Sequence, residues 1–159
     1  MLWWKREGLL FVCRANVCRS PMAEAILRQR LREERLWRHY RVQSRAVENW
    51  CIGQAPHPKT RELLKHFHIP LRFHRSRQLK NKDGQRFSLI IGMDQGIVDK
   101  ARTLLQGTPA KVVAFREFLP EDGDVLDPMQ TGDFLTTYDH LYAGINNLIA
   151  DLKRRDKHE

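Results

Sequence analysis

Cys13 and Arg19 stand six residues apart, and Ser20 and Pro21 follow directly. A thiolate can attack phosphorus, and a guanidinium can hold two phosphate oxygens in a fork. A Cys and an Arg at this spacing are weak evidence alone, so their surroundings decide the meaning. Leu9, Leu10, Phe11 and Val12 form a short apolar run, the pattern of a strand buried on both faces, and Cys13 closes it. Pro21 favours the first turn of a helix, with Ser20 as its expected cap. The loop of Cys13, Arg14, Ala15, Asn16, Val17 and Cys18 can therefore curl its peptide N–H groups around a tetrahedral anion at a positive helix end. The same field, with Arg19 nearby, stabilises a thiolate at Cys13. A lone cysteine is more often an inert buried thiol, and Arg19, Ser20 and Pro21 weigh against that here.

The elements that must hold this loop follow from periodicity. Ala23, Ile26, Leu27 and Leu31 share one helix face, with Arg28, Arg32 and Arg35 turned to water. Residues 40–42 read as a weaker strand, residues 59–68 as a helix ending before Pro70, and residues 87–93 as another buried strand. Ile97, Ala101, Leu104 and Leu105 mark a helix closed by Gly107 and Pro109. Residues 110–115 are the last strand, and a stripe from Phe134 through Tyr138, Leu141 and Ile145 to Leu152 predicts a long final helix. No repeat, low-complexity tract or linker divides the chain, so residues 1–159 are expected to fold as one domain. The alternation predicts an α/β fold, a parallel sheet with right-handed crossovers and helices on both faces. Ligands in such sheets bind where strands end and helices begin, which is where the Cys13 loop falls.

Composition sets the outer bounds. The chain has 159 residues, 42% of them hydrophobic, enough for a core without staples. Its apolar runs are too short to cross a bilayer, and Met1 to Glu7 carry no signal-peptide pattern. Three cysteines argue against a disulfide scaffold and for a reducing compartment, so a cytoplasmic protein is expected. The net charge of +9 is uneven: residues 1–80 hold 18 basic and 6 acidic residues, and the rest hold 10 and 13. Such asymmetry can mean nucleic-acid binding, but a solvated basic face that attracts an anionic substrate is the plainer reading.

The string of Phe11, Val12, Cys13 to Asn16, then Cys18, Arg19, Ser20, Pro21, Met22, Ala23 and Glu24 resembles the low-molecular-weight protein tyrosine phosphatases. The resemblance resumes at residues 42–44, His74, Arg77, Gln78, Met93, Asp94, Asp127, Pro128, Asp133 and Phe134, and spans roughly residues 8–155. It implies a four-stranded parallel α/β fold with a phosphate-binding loop after the first strand, and neither metal nor cofactor. It implies that Cys13 carries the phosphoryl group, that Arg19 binds phosphate with the loop from Arg14 to Cys18, and that Asp127 is the general acid. It implies that Ser20 hydrogen-bonds Cys13 and stabilises its thiolate, and Asn16, Ser44 and His74 match positions that brace the loop. Trp50 and Met129 match the pocket wall. Departures from the family pattern are Ala15 for a usual Gly, Gln43 and His57 for Asp, Arg45 and Ala46 for a small pair, and Met129 for an aromatic.

Each of these residues has a plainer reading. Glu121, Asp122, Asp124 and Asp133 compete with Asp127 as loop acids, although Pro128 biases Asp127 toward an extended conformation that can aim its carboxylate. Asp94 can simply cap the helix after it. The expected partner is a phosphotyrosine protein, with a tyrosine kinase as a further candidate; neither membrane nor nucleic acid is expected. Rival activities are a protein-arginine phosphatase, an arsenate reductase, and a non-catalytic phosphate- or nucleic-acid-binding module. The reductase relay needs later cysteines, and none follows Cys51. A pure binder has no use for Asp127.

Overall fold

The computed structural model describes residues 5–119 and 123–157. Four parallel strands form one sheet in the order β2-β1-β3-β4. They are β1 (Glu7–Cys13), β2 (Tyr40–Ala46), β3 (Leu89–Gly92) and β4 (Lys111–Ala114). Leu9 to Val12 are wholly buried, as a central strand covered on both faces requires. The register pairs Cys13 with Ala46 and Val12 with Gly92, so all three strands nearest the thiol deliver their C-terminal ends to one rim.

The helices around the sheet are α1 (Arg19–Glu33), α2 (Pro58–His66), α3 (Asp83–Arg86), α4 (Gln95–Leu104), α5 (Pro128–Thr131) and α6 (Phe134–Lys157). Helix α6 buries Tyr138, Leu141, Ile145, Leu148 and Leu152 along its length, the stripe read from the sequence. Gly144 lies inside that helix because a Cβ there would collide with the Phe115 ring. The 3₁₀ turn Phe115–Phe118 therefore seats directly on the helix backbone.

Several boundaries differ from expectation, each for a local reason. Strand β3 starts at Leu89, two residues late, because the Phe87 N–H closes the turn of α3 on Asp83 O. Phe115 leaves β4 for the 3₁₀ turn. Leu104 is exposed at the end of α4, while Leu105 is buried. Arg28 does not face water: it is half-buried and ion-paired to Glu24 one turn earlier. Strand β2 continues to Ala46 through polar Gln43, Ser44 and Arg45. Arg45 is buried and satisfied there by Ser44 O, Gln43 Oε1 and the Asp83 carboxylate.

Candidate active site

The loop after β1 is held by its carbonyls. Cys13 O accepts from Val47 N at 3.0 Å, Arg14 O from Glu48 N at 3.0 Å and Val17 O from His57 N at 2.8 Å. Ala15 O accepts from Ser76 Oγ at 2.7 Å, Asn16 O from His74 Nε2 at 3.3 Å and Cys18 O from Met22 N at 3.1 Å. With every carbonyl from 13 to 18 turned to the surrounding protein, the amides turn the other way. The N–H of Asn16 points at Cys13 Sγ, 3.2 Å away. Those of Ala15, Val17 and Cys18 have no acceptor among the described residues. A ring of free amides above a sulfur is a cradle for an anion.

Asn16 sets the shape of this ring. Its φ is 59°, the left-handed region that asparagine tolerates better than most residues. Ala15, where the family usually has a glycine, does not have positive φ, so the missing glycine brings no left-handed strain there. The Asn16 side chain fixes the conformation from both ends. Its Oδ1 accepts from Arg77 N at 3.1 Å, and its Nδ2 donates to Ser20 Oγ at 2.7 Å and Ser44 Oγ at 2.9 Å.

Direction follows from that amide. An NH₂ group can only donate, so Ser20 Oγ accepts from it and its own proton stays available to Cys13 Sγ at 3.0 Å, the direction a thiolate requires. Ser44 likewise sends its proton onward, to Glu24 Oε1 at 2.6 Å. Ser20 is therefore not the helix cap that proline spacing suggested. The helix begins at Arg19 with Cys18 at the cap position and no side-chain cap, because the Ser20 hydroxyl is committed to the thiol. His74 must carry its proton on Nε2 to donate to Asn16 O, and its Nδ1 lies 3.8 Å from Glu24 Oε1. Burial holds its basicity below the ordinary histidine value, against the pull of Glu24.

Arg19 is almost fully buried. Its Nη1 donates to Val125 O at 2.9 Å and to Asp94 Oδ2 at 3.0 Å, and its Nη2 lies 3.7 Å from Asp127 Oδ2. Asp94 also caps α4 through Ile97 N at 2.9 Å, the plainer reading of that residue, while its other oxygen holds Arg19. Asp127 caps α5 by accepting from Met129 N at 3.0 Å, which turns its second oxygen toward Arg19. Among its rivals, Asp133 is tied to Thr136 at the start of α6 and Asp124 lies 3.8 Å from Arg116. Glu121 and Asp122 lie outside the described residues.

Thiol, guanidinium and carboxylate line one cavity of about 140 Å³, walled by Trp50 and Met129, both more than half exposed. Cys13 is only 2% exposed at its floor. Glu48 holds the rim together: it accepts from Trp50 Nε1 at 2.8 Å, Lys100 Nζ at 2.9 Å and Arg14 Nε at 3.3 Å. Those three donors keep its carboxyl at about 2. Cys18 also lines the cavity, with its thiol pushed up to about 12 chiefly by burial and then by the charge of Cys13. No group of His, Cys, Asp and Glu among the described residues has the arrangement of a metal site.

The structure brings the sequence-predicted Cys13, Arg19, Asp127, Trp50 and Met129 to one cavity, with Ser20, Ser44 and His74 hydrogen-bonded behind it, whereas Glu48 and Ser76 were not anticipated there. Both lack a local pattern, because their partners lie far along the chain. Glu24 was visible in the helix motif without a role, which its contact with Ser44 now supplies.

A family model described as low molecular weight phosphotyrosine protein phosphatase matches residues 8–158. The low molecular weight protein-tyrosine-phosphatase PtpA of Staphylococcus epidermidis is 38% identical over 154 residues, covering 91% of this chain and 97% of that protein. The crystal structure of YfkJ from Bacillus subtilis aligns with a TM-score of 0.88 at 30% identity, covering 95% of this chain and 97% of that one. That of SP-PTP, a low molecular weight protein tyrosine phosphatase from Streptococcus pyogenes, aligns with a TM-score of 0.82 at 32% identity, covering 92% and 93%. The likeness extends from the thiol loop through the last helix, and the chain belongs to the low molecular weight phosphotyrosine protein phosphatase family.

Proposed function

We propose that the chain hydrolyses phosphotyrosine monoesters in proteins, with Cys13 as nucleophile, Arg19 and the loop amides as phosphate clamp, and Asp127 as general acid and base. The observation that carries this reading is the single cavity lined by a hydrogen-bonded thiol, a buried guanidinium and a carboxylate. The Cys13 thiolate attacks phosphorus. The P–O bond to tyrosine breaks, and its electron pair leaves on the phenolic oxygen, which takes a proton from Asp127. The carboxylate then takes a proton from water as that water attacks phosphorus. The S–P bond breaks, inorganic phosphate leaves, and sulfur departs as a thiolate held by Ser20. Arg19 offers its Nε and Nη2 edge to two phosphate oxygens while Asp94 and Val125 fix its other nitrogen, so the clamp costs little reorganisation.

Turnover of p-nitrophenyl phosphate by wild type and Cys13→Ser tests the scheme, together with acid-quench trapping of phosphoenzyme. Cys13→Ser should lose about 10⁴-fold or more, the scale on which removing a nucleophile acts. Equal turnover by the variant, or phosphate binding without any turnover, would overturn it.

A thiol at the floor of a cleft favours a long flat phosphorylated side chain over phosphoserine. Val17 argues for phosphotyrosine over phosphoarginine: it lines the cavity with an apolar surface and offers no polar atom to orient a guanidinium-linked phosphate. Met129 is a softer wall than an aromatic ring, so the preference is modest and Met129→Tyr should lower KM for aryl phosphates. A higher kcat/KM on phosphoarginine than on phosphotyrosine peptides would reverse this assignment. A tyrosine kinase acting on the same proteins is the matching partner. The three unpaired cysteines support a cytoplasmic setting.

A further inference from the structure

Strand β2 is an outer strand of the sheet, and beside it the second half of α1 helps enclose a different cavity, of about 520 Å³. Arg6 and Tyr40 place it toward the N-terminal ends of the strands, whereas Cys13 lies at the C-terminal end. Five arginines line it: Arg6, Arg28, Arg32, Arg41 and Arg72. Among the described residues, no carboxylate does.

The cations are poorly compensated. Arg28 pairs with Glu24 at 2.6 Å through Nη2, but its Nη1 is buried with no partner. Arg6 donates to Trp37 O at 3.3 Å, and Arg41 donates to Arg86 O at 2.6 Å and lies over the Phe87 ring at 4.4 Å; neither has a carboxylate partner among the described residues. Arg32 and Arg72 have no hydrogen-bond or ion-pair partner among the described residues. The charge of Arg28, followed by burial and by Arg32 and Arg6, lowers the basicity of Arg72. Burial and then Arg6 and Arg86 do the same to Arg41. Like charges so gathered repel one another, and a multivalent anion is what relieves them.

We propose that this cavity is a binding site for a compact polyphosphate, carried either as inorganic polyphosphate or as the tail of a nucleotide. Its volume falls within the range of small-ligand sites, about 300–1,000 Å³. Its concave shape suits a compact anion, whereas a duplex is held by a long basic track along successive phosphates. Guanidinium forks match phosphate oxygens two at a time. Trp37, half exposed at the same cavity, offers a ring face to a nucleobase if one is attached.

Calorimetry at physiological ionic strength tests this, with the Cys13 loop saturated by orthovanadate so that only the second site reports. Tripolyphosphate should bind at one site. Arg32→Ala with Arg72→Ala should weaken it about tenfold or more, the cost of losing charge-assisted bonds. Lys111→Ala, which removes a cation lining another cavity, should leave it unchanged. Circular dichroism and vanadate-sensitive phosphatase activity show that the double variant is folded. ATP binding tighter than tripolyphosphate, with the excess lost in Trp37→Ala, identifies a nucleotide; equal binding identifies the polyphosphate chain alone. No binding under vanadate, equal weakening by Lys111→Ala, or tighter binding of single-stranded DNA than of tripolyphosphate would overturn the proposal.

Discussion

One amide side chain, that of Asn16, decides which way protons point around the sulfur. Because its NH₂ faces Ser20 and its oxygen faces Arg77 N, the Ser20 hydroxyl has one acceptor left, Cys13. Asn16→Asp keeps the shape and reverses the polarity, since a carboxylate oxygen would now compete with sulfur for the Ser20 proton. Alkylation of Cys13 by iodoacetamide should then shift to higher pH, and turnover should fall about tenfold to a hundredfold, the worth of one hydrogen bond to a charged group. Ser20→Ala should produce the same alkylation shift with the loop otherwise intact. An unchanged alkylation profile in both variants would remove Ser20 from the support of the thiolate. Cys18 shares the cavity but holds its proton, so it is a poor attacking thiol at neutral pH. If Cys13 is oxidised by peroxide to a sulfenic acid, condensation with Cys18 releases water and forms a disulfide that dithiothreitol reduces. The rescued fraction should rise with the pH of the peroxide step in wild type and drop in Cys18→Ser. A mass-spectrometric link from Cys13 to Cys51 instead would count against Cys18.

At the scale of elements, one four-residue helix does more than its length suggests. Helix α5 exists because Asp127 caps it and Pro128 starts it, and that cap leaves the second carboxylate oxygen facing Arg19. Asn retains the capping oxygen but cannot deliver a proton. Asp127→Asn should therefore stay folded and lose rate most steeply for leaving groups of high pKa, measured across a series of aryl phosphates. Equal slowing along the series would assign the acid to another residue. Such short helices also mark where reading the sequence stops. The apolar runs in β1 and β3 were legible because strands buried on both faces have no polar register to obscure them, and β4 was legible from Val112, Val113 and Ala114 although Lys111 is exposed. Strand β2 was legible only at Tyr40 to Val42, because its later residues serve the site: Ser44 bridges Asn16 and Glu24, and Arg45 is buried against Asp83. A polar strand interior breaks the pattern that announces a strand. The loop after β1 was readable for the opposite reason, since its residues are contiguous. Glu48 gathers Arg14, Trp50 and Lys100 from separate segments, and nothing local foretells that.

Across the whole molecule, the same contacts that shape the site make stability depend on pH in two separate windows. His74 sits behind the loop, neutral and donating to Asn16 O, with its basicity below the ordinary 6.5. The unfolded chain therefore takes up a proton there before the folded chain does. Its contribution is complete above pH 6.5 and is lost as pH falls through the lower folded value. Glu48 behaves as a carboxylate gripped by donors: its share is complete above 4.5 and is lost toward about 2. Asp133 and Glu34 shift in the same direction, through Thr136 and Lys153 respectively; Asp133 is exposed and Glu34 only partly buried, and solvent screening keeps both shares small. Thermal melting followed from neutral pH to about pH 5 isolates the histidine, because the carboxylates are still largely ionised there. Wild type should lose Tm across that interval. His74→Gln keeps a donor for Asn16 O but cannot take up a proton, so its profile should be flatter, and its Tm should approach that of wild type most closely at the acidic end. A wild-type profile with no slope, or a variant with the same slope, would show that the loop is not braced by a neutral His74. The hydrolysis rate gives a second readout, because a loop that loosens with acid should lose phosphate affinity, and KM should rise in wild type over the same interval while changing less in His74→Gln.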